Sequence, residues 1–326
     1  MGYNLGMGAP ATKTSPQLQE ARERLLSIDH VVPHTDADGL AAGAIALRAR
    51  GEQASAAIVL GRGQTPFGPH PPIEDGSLAV LDWGVRKLFR PGLIVDHHVP
   101  EEQPDPDQVL VSGHGEEPET STAPLVRRIF PEAPRWLAAI GALGDLGDAA
   151  WALPECAGVA RGPVRRVVPL VNAARRVPDG PVRLALELLT QHESPAAVLD
   201  DKRISSLDEA RARWRGEYER VIHTAPRISG DVAVIRFASD CQVHPLVATA
   251  WARRLRPRSV IGANDGYLED RVNFAVRGGS GDLRRLLVDA LPGVKGEFAH
   301  GHARATGGSL SPADFDLLLR ALGFGG

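Results

Sequence analysis

Four short segments of this chain concentrate aspartate and histidine, two residue types that hold divalent cations through carboxylate oxygen and imidazole nitrogen. A cluster of such cations activates water and stabilises the charge that develops when a phosphate ester is hydrolysed. The segments therefore predict a site that binds divalent cations. They are His34-Thr35-Asp36-Ala37-Asp38-Gly39, Asp82, Asp96-His97-His98 and Gly144-Asp145-Leu146-Gly147-Asp148.

Three of these segments directly follow short apolar runs that are typical of buried β-strands, namely His30–Pro33, Leu78–Leu81 and Leu93–Val95. Because the carboxyl ends of parallel strands meet at one edge of a sheet, we expect the acids and histidines to converge there. Such crowding of carboxylates costs several kcal/mol unless cations neutralise it. Mixed oxygen and imidazole ligands favour manganese over calcium, and a site of this size holds two cations roughly 3.5–4 Å apart.

Each segment also has a simpler interpretation when it is taken alone. An aspartate between a strand and a helix, such as Asp36 or Asp38, is often only a helix N-cap. Asp82 is compatible with a plain turn, and adjacent histidines are often exposed polar residues. The conjunction of four such segments, three of them at strand ends, favours a single site over these separate interpretations.

The elements that must position these residues alternate between short apolar runs and helical stretches, which indicates an α/β fold. We predict an N-terminal, mainly parallel sheet with helices on both faces, a helical connector, a smaller C-terminal α/β domain, and an active site in the cleft between the domains. Ala56–Leu60 is predicted as a further strand and Gly296–Gly308 as a loop. The predicted bounds are a flexible tail at 1–15, an acid-bearing domain at 16–155, the connector at 156–225 and the C-terminal domain at 226–326.

Composition restricts the class of protein further. The formal net charge of −3 does not suggest the basic face of a general nucleic-acid binder, although net charge says little about one cleft. The two cysteines, Cys156 and Cys241, are far apart and predict free thiols in a reducing compartment, hence a cytoplasmic protein. No run of about 18 apolar residues occurs, so no membrane association is expected. The sequence leaves a homodimer open.

The four segments resemble the motifs of the DHH phosphoesterase superfamily, which is named for the triplet that stands here as Asp96-His97-His98. The stretch Ala299–Gly308 is similar to the glycine- and histidine-rich signature of the DHH-associated C-terminal domain, with His300 and Thr306 in place of a glycine and an alanine. The resemblance covers nearly the whole chain. It implies a two-domain, metal-dependent phosphoesterase.

The resemblance also implies metal ligands. His34 and Asp36 would bind a first cation, Asp38 a second, and Asp82 would bridge the two. The expected cofactor is Mn²⁺, two ions per site, with Mg²⁺ or Co²⁺ as alternatives.

His97 would complete the second site together with an acid of the fourth segment. The likeness of that segment to RecJ-type members favours Asp148, whereas the pattern of the nanoRNase branch favours Asp145. We prefer Asp148 on the sequence alone and keep Asp145 as the alternative.

Two further groups of residues would act on the substrate or its surroundings. Asp96 is expected to orient a ligand histidine, and His98 to face the substrate, where it stabilises phosphoryl charge or protonates the leaving oxygen. Arg277 matches an arginine of the family and suits bidentate phosphate recognition. The expected substrate contacts are Arg277, Gly301, His302, Gly307 and Gly308.

These expectations define a function and its alternatives. The favoured one is a manganese phosphodiesterase or phosphatase that hydrolyses short oligonucleotides, cyclic dinucleotides or the nucleotide pAp. The alternative is a RecJ-like exonuclease specific for single strands, because the first motif resembles the RecJ type. A family II pyrophosphatase is disfavoured by the glycine-histidine stretch. A catalytically silent nucleotide-binding scaffold is less favoured, because silent relatives usually lose metal ligands.

Overall fold

The computed structural model describes residues 15–68, 71–73, 75–294 and 298–325, and it describes His300 and His302 by their backbone only. The tail predicted for residues 1–15 therefore lies outside the described residues, apart from Ser15. The Ser15 side chain accepts a hydrogen bond from the main-chain N–H of Leu18 and so caps the first helix, with Pro16 at its first position.

The first half of the chain alternates strands and helices. The helix α2 is rich in alanine and begins at the N-cap Asp36. In chain order the elements are α1 Pro16–Ser27, β1 His30–Pro33, α2 Ala37–Arg50, a 3₁₀ turn Ala54–Ala56, β2 Leu78–Leu81, β3 Gly92–Asp96, β4 Val109–Ser112, α3 Thr122–Ile129, α4 Arg135–Leu146, and 3₁₀ turns Gly147–Ala152 and Pro154–Cys156.

Strands β1 to β4 form one parallel sheet in sequence order, with His30 opposite Leu78 and Leu93 opposite Val109. Their residues alternate between two faces. One face packs against α1, α2 and α3, which supply much of the main hydrophobic core. The other face packs against Leu60, Phe67 and side chains of the segment after β2, which belong to connecting segments.

The three strands that precede the acids were predicted correctly to within one residue at each end. A further predicted strand, Ala56–Leu60, is wrong. Its segment begins with a 3₁₀ turn, and Ile58 donates one hydrogen bond of 2.9 Å to the carbonyl of Val31 without forming a strand. Apolar residues of this run, such as Leu60, pack against the second face of the sheet. An apolar pattern reports burial, and burial alone does not distinguish a strand from a packed loop.

The second half of the chain starts with helices and ends with a mixed sheet. The helices α5 to α8 carry no strand between them, as predicted for the connector. The elements are α5 Arg161–Ala174, α6 Val182–Gln191, α7 Pro195–Asp200, α8 Ile204–Val221, β5 Arg227–Ser229, β6 Val232–Phe237, α9 His244–Arg254, β7 Ser259–Leu268, β8 Arg271–Gly278, α10 Leu283–Ala290, β9 Phe298–His302, β10 Ala305–Leu310 and α11 Pro312–Ala321.

The second sheet has the strand order β5-β6-β7-β8-β10-β9, in which only the β6–β7 pair is parallel. The loop predicted for Gly296–Gly308 is wrong, because most of its described part forms the antiparallel hairpin of β9 and β10. Glycine lowers strand propensity and so conceals this hairpin in the sequence. Close packing requires glycine at position 307, because a Cβ on Gly307 would overlap the carbonyl oxygen of Phe274.

The connector joins the two halves through their cores. Val164 and Leu186 lie in the core beneath the first sheet, whereas Ala210 and Val221 lie in a separate cluster with residues of the second sheet. The predicted α/β class, with a parallel first sheet, a helical connector and a second, C-terminal sheet, is confirmed. In the described residues no helix is long and apolar enough to span a membrane.

Candidate metal centre and interdomain cleft

The acid-bearing segments reach one edge of the first sheet because of where their elements end. His34 follows β1, Asp82 follows β2, and Asp96 closes β3. Asp38 lies in the first turn of α2, and Asp145 lies in the last turn of α4, which packs against α2. The parallel topology therefore brings these remote residues together, as the sequence predicted.

The turn between β1 and α2 places two of these residues. Asp36 is an N-cap, since its Oδ1 accepts a hydrogen bond of 3.1 Å from the main-chain N–H of Gly39. A Cβ at Gly39 would lie 2.5 Å from the carbonyl oxygen of His34, so this tight turn requires glycine. The capping interpretation of Asp36 is thus correct, and its second oxygen still faces His34 at 2.9 Å.

Asp82 has an unusual backbone. Its φ of 69° lies in the left-handed region, which costs a residue other than glycine roughly 1–3 kcal/mol. Its side chain is almost completely buried. The surrounding contacts hold Asp82 in this conformation, in which its carboxylate faces His34 and His97 at 3.6 and 3.5 Å.

The potential ligand atoms of the described residues form three overlapping groups that share Asp82, and within each group they lie within 4.8 Å of one another. One of them, Asp82, His97 and His98, overlaps the other two, which together contain six residues. We call these six residues the acid cluster. The first of the two groups is His34, Asp36 and Asp82, and the second is Asp38, Asp82, His97 and Asp145.

Interactions within the acid cluster raise the pKa of three of its members, His34, His97 and Asp38, and so favour their protonated forms. Burial by itself lowers the pKa of His34, but the carboxylate of Asp36 raises it to about 10. Burial acts on His97 in the same direction, and its hydrogen bonding with Asp145 raises the pKa to about 12. Burial raises the pKa of Asp38 well above its usual range, and nearby carboxylates add to this shift. A divalent cation must compete with these protons for the ligand atoms.

The geometry fits a divalent cation. Nδ1 of His34 is buried between the carboxylates of Asp36 and Asp82, yet it makes no hydrogen bond of acceptable geometry with the described residues. A ring nitrogen and carboxylate oxygens that face one another without hydrogen-bond geometry are arranged like ligands around a common ion. The mixture of oxygen and imidazole donors suits Mn²⁺ or a similar cation.

The structure places the two acids of the fourth segment in different surroundings, and only Asp145 lies in the acid cluster. Asp145 Oδ2 lies 3.1 Å from Nε2 of His97, and its side chain is 27% exposed. The side chain of Asp148 is 77% exposed and pairs with Arg165 at 2.6 Å, outside the acid cluster. The reason is that α4 ends at Leu146, so Asp145 still lies on the helix whereas Asp148 lies beyond the turn at Gly147.

The other two residues of the triplet, Asp96 and His98, are joined by hydrogen bonds. Asp96 is fully buried and accepts hydrogen bonds from the main-chain N–H groups of His98 and Gly84, each at 2.7 Å. Its Oδ1 also lies 2.8 Å from Nδ1 of His98, so the histidine that Asp96 orients is His98. The ring of His98 lies 4.3 Å from that of His97 and lines the adjacent cleft.

The acid cluster opens onto a cleft of about 1050 Å³ between the two sheets. His34, Asp82 and His98 line it from the first half of the chain. Four of the five expected substrate contacts, Arg277, Gly301, Gly307 and Gly308, line it from the second half. The side chain of the fifth, His302, lies outside the described residues.

Arg277 lies at the end of β8, where its guanidinium donates hydrogen bonds to the carbonyls of Val276 and Thr306 at 2.9 and 3.0 Å. Burial lowers its pKa. Within the described part of the chain no carboxylate lies within 4 Å of it. Arg277 thus presents a positive charge that no acidic side chain of the described residues neutralises.

No family model and no curated protein matches this sequence. Solved structures match the fold. RecJ from Thermus thermophilus in complex with Mn²⁺ has a TM-score of 0.64 and 20% identity, over 96% of this chain and 55% of the RecJ chain. An exonuclease RecJ bound to manganese has a TM-score of 0.57 and 19% identity, over 96% of this chain and 95% of that one.

A DHH domain from a protein described as a member of a family of ribosomal proteins has a TM-score of 0.58 and 15% identity, over 94% of this chain and 89% of that one. The chain has the RecJ fold. The fold that the resemblance to the DHH superfamily implied is therefore confirmed. This chain spans about half the length of Thermus thermophilus RecJ, whose chain it covers by 55%.

On this RecJ fold, the structure also shows cleft residues that sequence reasoning missed. They are arginines from irregular segments, helix ends and a strand start, where nothing in the local pattern distinguishes them from solvated surface arginines. Together with Arg277 we call them the arginine lining. Its members are Arg62, Arg86, Arg175, Arg183, Arg271 and Arg277.

One aromatic residue was missed as well. Trp83 follows Asp82 directly, lines the cleft, and contacts the ring of His34 edge-on with 5.0 Å between ring centroids. Its position next to a strand-end acid was the available signal.

Proposed function

We propose that this protein is a metal-dependent phosphoesterase that hydrolyses a phosphodiester of a nucleotide substrate with two divalent cations, Mn²⁺ in the first instance. The observation that carries the proposal is the acid cluster opening onto a cleft lined by six arginines. The cluster suits cations, and the arginines suit the phosphates that such cations act on.

The proposed ligands divide between two cations. His34 and Asp36 would hold the first, Asp38, His97 and Asp145 would hold the second, and Asp82 would contribute to both. When bound, divalent cations supply Lewis acidity towards a phosphoryl group and lower the pKa of water.

The other residues act on the substrate. Asp96 fixes the ring of His98 so that it faces the cleft, where it hydrogen-bonds the phosphoryl group or gives a proton to the leaving oxygen. Arg277 provides charge for a phosphate from the opposite wall. The glycines of β9 and β10 let main-chain atoms approach the substrate closely, and His302 is kept as a proposed contact.

The substrate we favour is short: an oligonucleotide of a few residues, a cyclic dinucleotide or pAp. A cleft of about 1050 Å³ is just above the range for sites that bind one small ligand, roughly 300–1,000 Å³. The likeness to RecJ supports a second candidate, an exonuclease that acts on the end of a longer single strand. We keep the bounds 16–155, 156–225 and 226–326 for the catalytic domain, connector and substrate-binding domain.

The test is a cleavage assay with Mn²⁺ on dinucleotides, cyclic dinucleotides, pAp and single strands of increasing length. Wild type is compared with Asp82→Asn, which keeps the shape of the shared ligand but removes its charge, and we expect at least a roughly thousand-fold loss. Asp75→Asn, an acid outside the cluster, is the control.

Each outcome separates the candidates. Fastest turnover on the smallest substrates supports the favoured function, and turnover that rises with strand length supports the exonuclease. Pyrophosphate cleaved faster than any nucleotide would reassign the enzyme. Absence of Mn²⁺-dependent cleavage in wild type would leave the silent scaffold.

A further inference from the structure

The N-terminus of α3 contacts two members of the acid cluster that lie on different elements. Asp38 is fully buried and accepts three hydrogen bonds from this turn: from the hydroxyl of Ser121 at 2.9 Å and from the main-chain N–H groups of Thr122 and Ala123 at 2.6 and 2.9 Å. Two of these bonds end on Oδ1 and one on Oδ2. A carboxylate offers about four acceptor positions, so the hydrogen bonds of the described residues leave Asp38 a single free one, on Oδ2.

The same turn also holds the shared ligand. The hydroxyl of Thr122 donates a hydrogen bond of 2.9 Å to Oδ1 of Asp82, and both side chains are buried. Thr122 therefore contacts Asp38 through its main chain and Asp82 through its side chain. One residue fixes the two carboxylates relative to each other, although Asp38 lies on α2 and Asp82 follows β2.

Packing on the far side of Asp38 adds to this constraint. A Cβ at Gly141 of α4 would overlap Oδ1 of Asp38, so this position leaves space only for the carboxylate in its observed orientation. Asp38 is thus confined between α3 and α4.

A purely structural explanation would be that Ser121 and Thr122 only begin the helix. Ser121 occupies the N-cap position of α3, yet its side chain makes no capping hydrogen bond. The hydroxyl oxygen of an N-cap serine usually accepts a hydrogen bond from an N–H group of its own helix. Here the hydroxyl is directed at Asp38 instead.

We propose that Thr122 and Ser121 are positioning residues that set the spacing of Asp38 and Asp82 and thereby the affinity for divalent cations. This inference rests on the proposed function, since it takes both acids as ligands. Thr122 has the larger role. Asp38 retains two main-chain donors when the Ser121 hydroxyl is removed, whereas no main-chain amide of the described residues replaces the Thr122 hydroxyl on Asp82.

The test measures Mn²⁺ binding to the full chain without substrate, by calorimetry and by the electron paramagnetic resonance signal of free Mn²⁺. Thr122→Val keeps the shape but loses the hydroxyl, and we expect its affinity to fall about 10- to 100-fold, as is usual when a group that orients a ligand is removed. Thr122→Ser restores the hydroxyl and should bind within a few-fold of wild type. Ser121→Ala should lose only a few-fold, with an unchanged melting temperature.

The outcomes distinguish this inference from the proposed function. If wild type binds Mn²⁺ and folded Thr122→Val binds it equally well, or if Thr122→Ser is as weak as Thr122→Val, the positioning role is wrong while the proposed function stands. If Thr122→Val does not fold, Ser121→Ala decides: unchanged affinity overturns the inference, and a loss with an intact fold supports it. A wild-type chain that binds no Mn²⁺ overturns both.

Discussion

The acid cluster and the arginine lining border the same cleft, but their charges are compensated by different partners. Members of the acid cluster face each other, as Asp82 does with His34 and His97, so their charges are balanced within the cluster by protons or cations. Arg183 and Arg277 instead donate to main-chain carbonyls, and within the described part of the chain no carboxylate lies within 4 Å of either. Carbonyl oxygens orient a guanidinium without cancelling its charge.

The difference shows what each region requires. The acid cluster needs positive charge, because buried carboxylates repel one another. Arg183 and Arg277 keep their positive charge available and therefore suit the phosphates of an anion, whereas Arg86 lies 3.9 Å from the carboxylate of Glu101. Arg175 connects the two regions, since its Nη2 lies 3.6 Å from Oδ2 of Asp36 while its side chain lines the cleft.

The largest loss of turnover that tests this comparison is expected for a change at Asp145, in the last turn of α4. Asp145→Asn removes a charged neighbour of His97, and we expect the Mn²⁺-dependent turnover to fall about 100-fold, equivalent to about 2.7 kcal/mol of transition-state stabilisation. Asp148→Asn, three residues away, should stay within about twofold, because its exposed ion pair with Arg165 contributes little. Steady-state kinetics of both variants check this, and a larger loss in Asp148→Asn would restore the original preference.

The acid cluster was largely predictable from the sequence. His34, Asp82 and Asp96 each follow or close a short apolar strand, and parallel topology makes such positions converge. The choice between Asp145 and Asp148 was not predictable, since it depends on the residue at which α4 ends, and helix ends are the least certain feature of a sequence pattern. A shift of a few residues moves an acid from the site to solvent.

The arginine lining could not be predicted for a different reason. Arg62 lies in an irregular segment and Arg175 just beyond the end of α5, so no period or strand end fixes where either side chain points. Their convergence depends on tertiary packing of the connector against both sheets. The hairpin of β9 and β10 was missed because its glycines serve close packing, as Gly307 does against Phe274.

A smaller effect is expected in the arginine lining. Arg277→Ala removes a charge-assisted phosphate contact worth roughly 1.5–3 kcal/mol, so KM should rise about 10- to 100-fold with little change in kcat if the contact is equal in the ground and transition states. Arg277→Lys keeps the charge but loses the planar fork, and it should recover part of the loss. A fall in kcat at constant KM would place this contact in the transition state instead.

The smallest effect concerns how the two walls of the cleft are held together. Arg62, which precedes β2, stacks its guanidinium on the ring of Tyr267 at 4.5 Å and donates to the carbonyl of Asp240 at 2.6 Å, so it joins the first half of the chain to the second. A Cβ at the neighbouring Gly63 would lie 3.2 Å from Leu268, which shows how closely the two segments approach.

Loss of one cation–π contact and one hydrogen bond amounts to about 1–2 kcal/mol, so Arg62→Ala should raise KM about five- to thirtyfold by loosening the cleft. Arg213→Ala is the matched control, because Arg213 pairs with the carboxylate of the same Asp240 at 2.6 Å while its side chain is half exposed and lies outside the cleft. The measurement is the KM of each variant, determined by steady-state kinetics at equal ionic strength. Equal effects would mean that Asp240 merely needs a charged partner, whereas an effect confined to Arg62 would mean that contact across the cleft contributes to substrate binding.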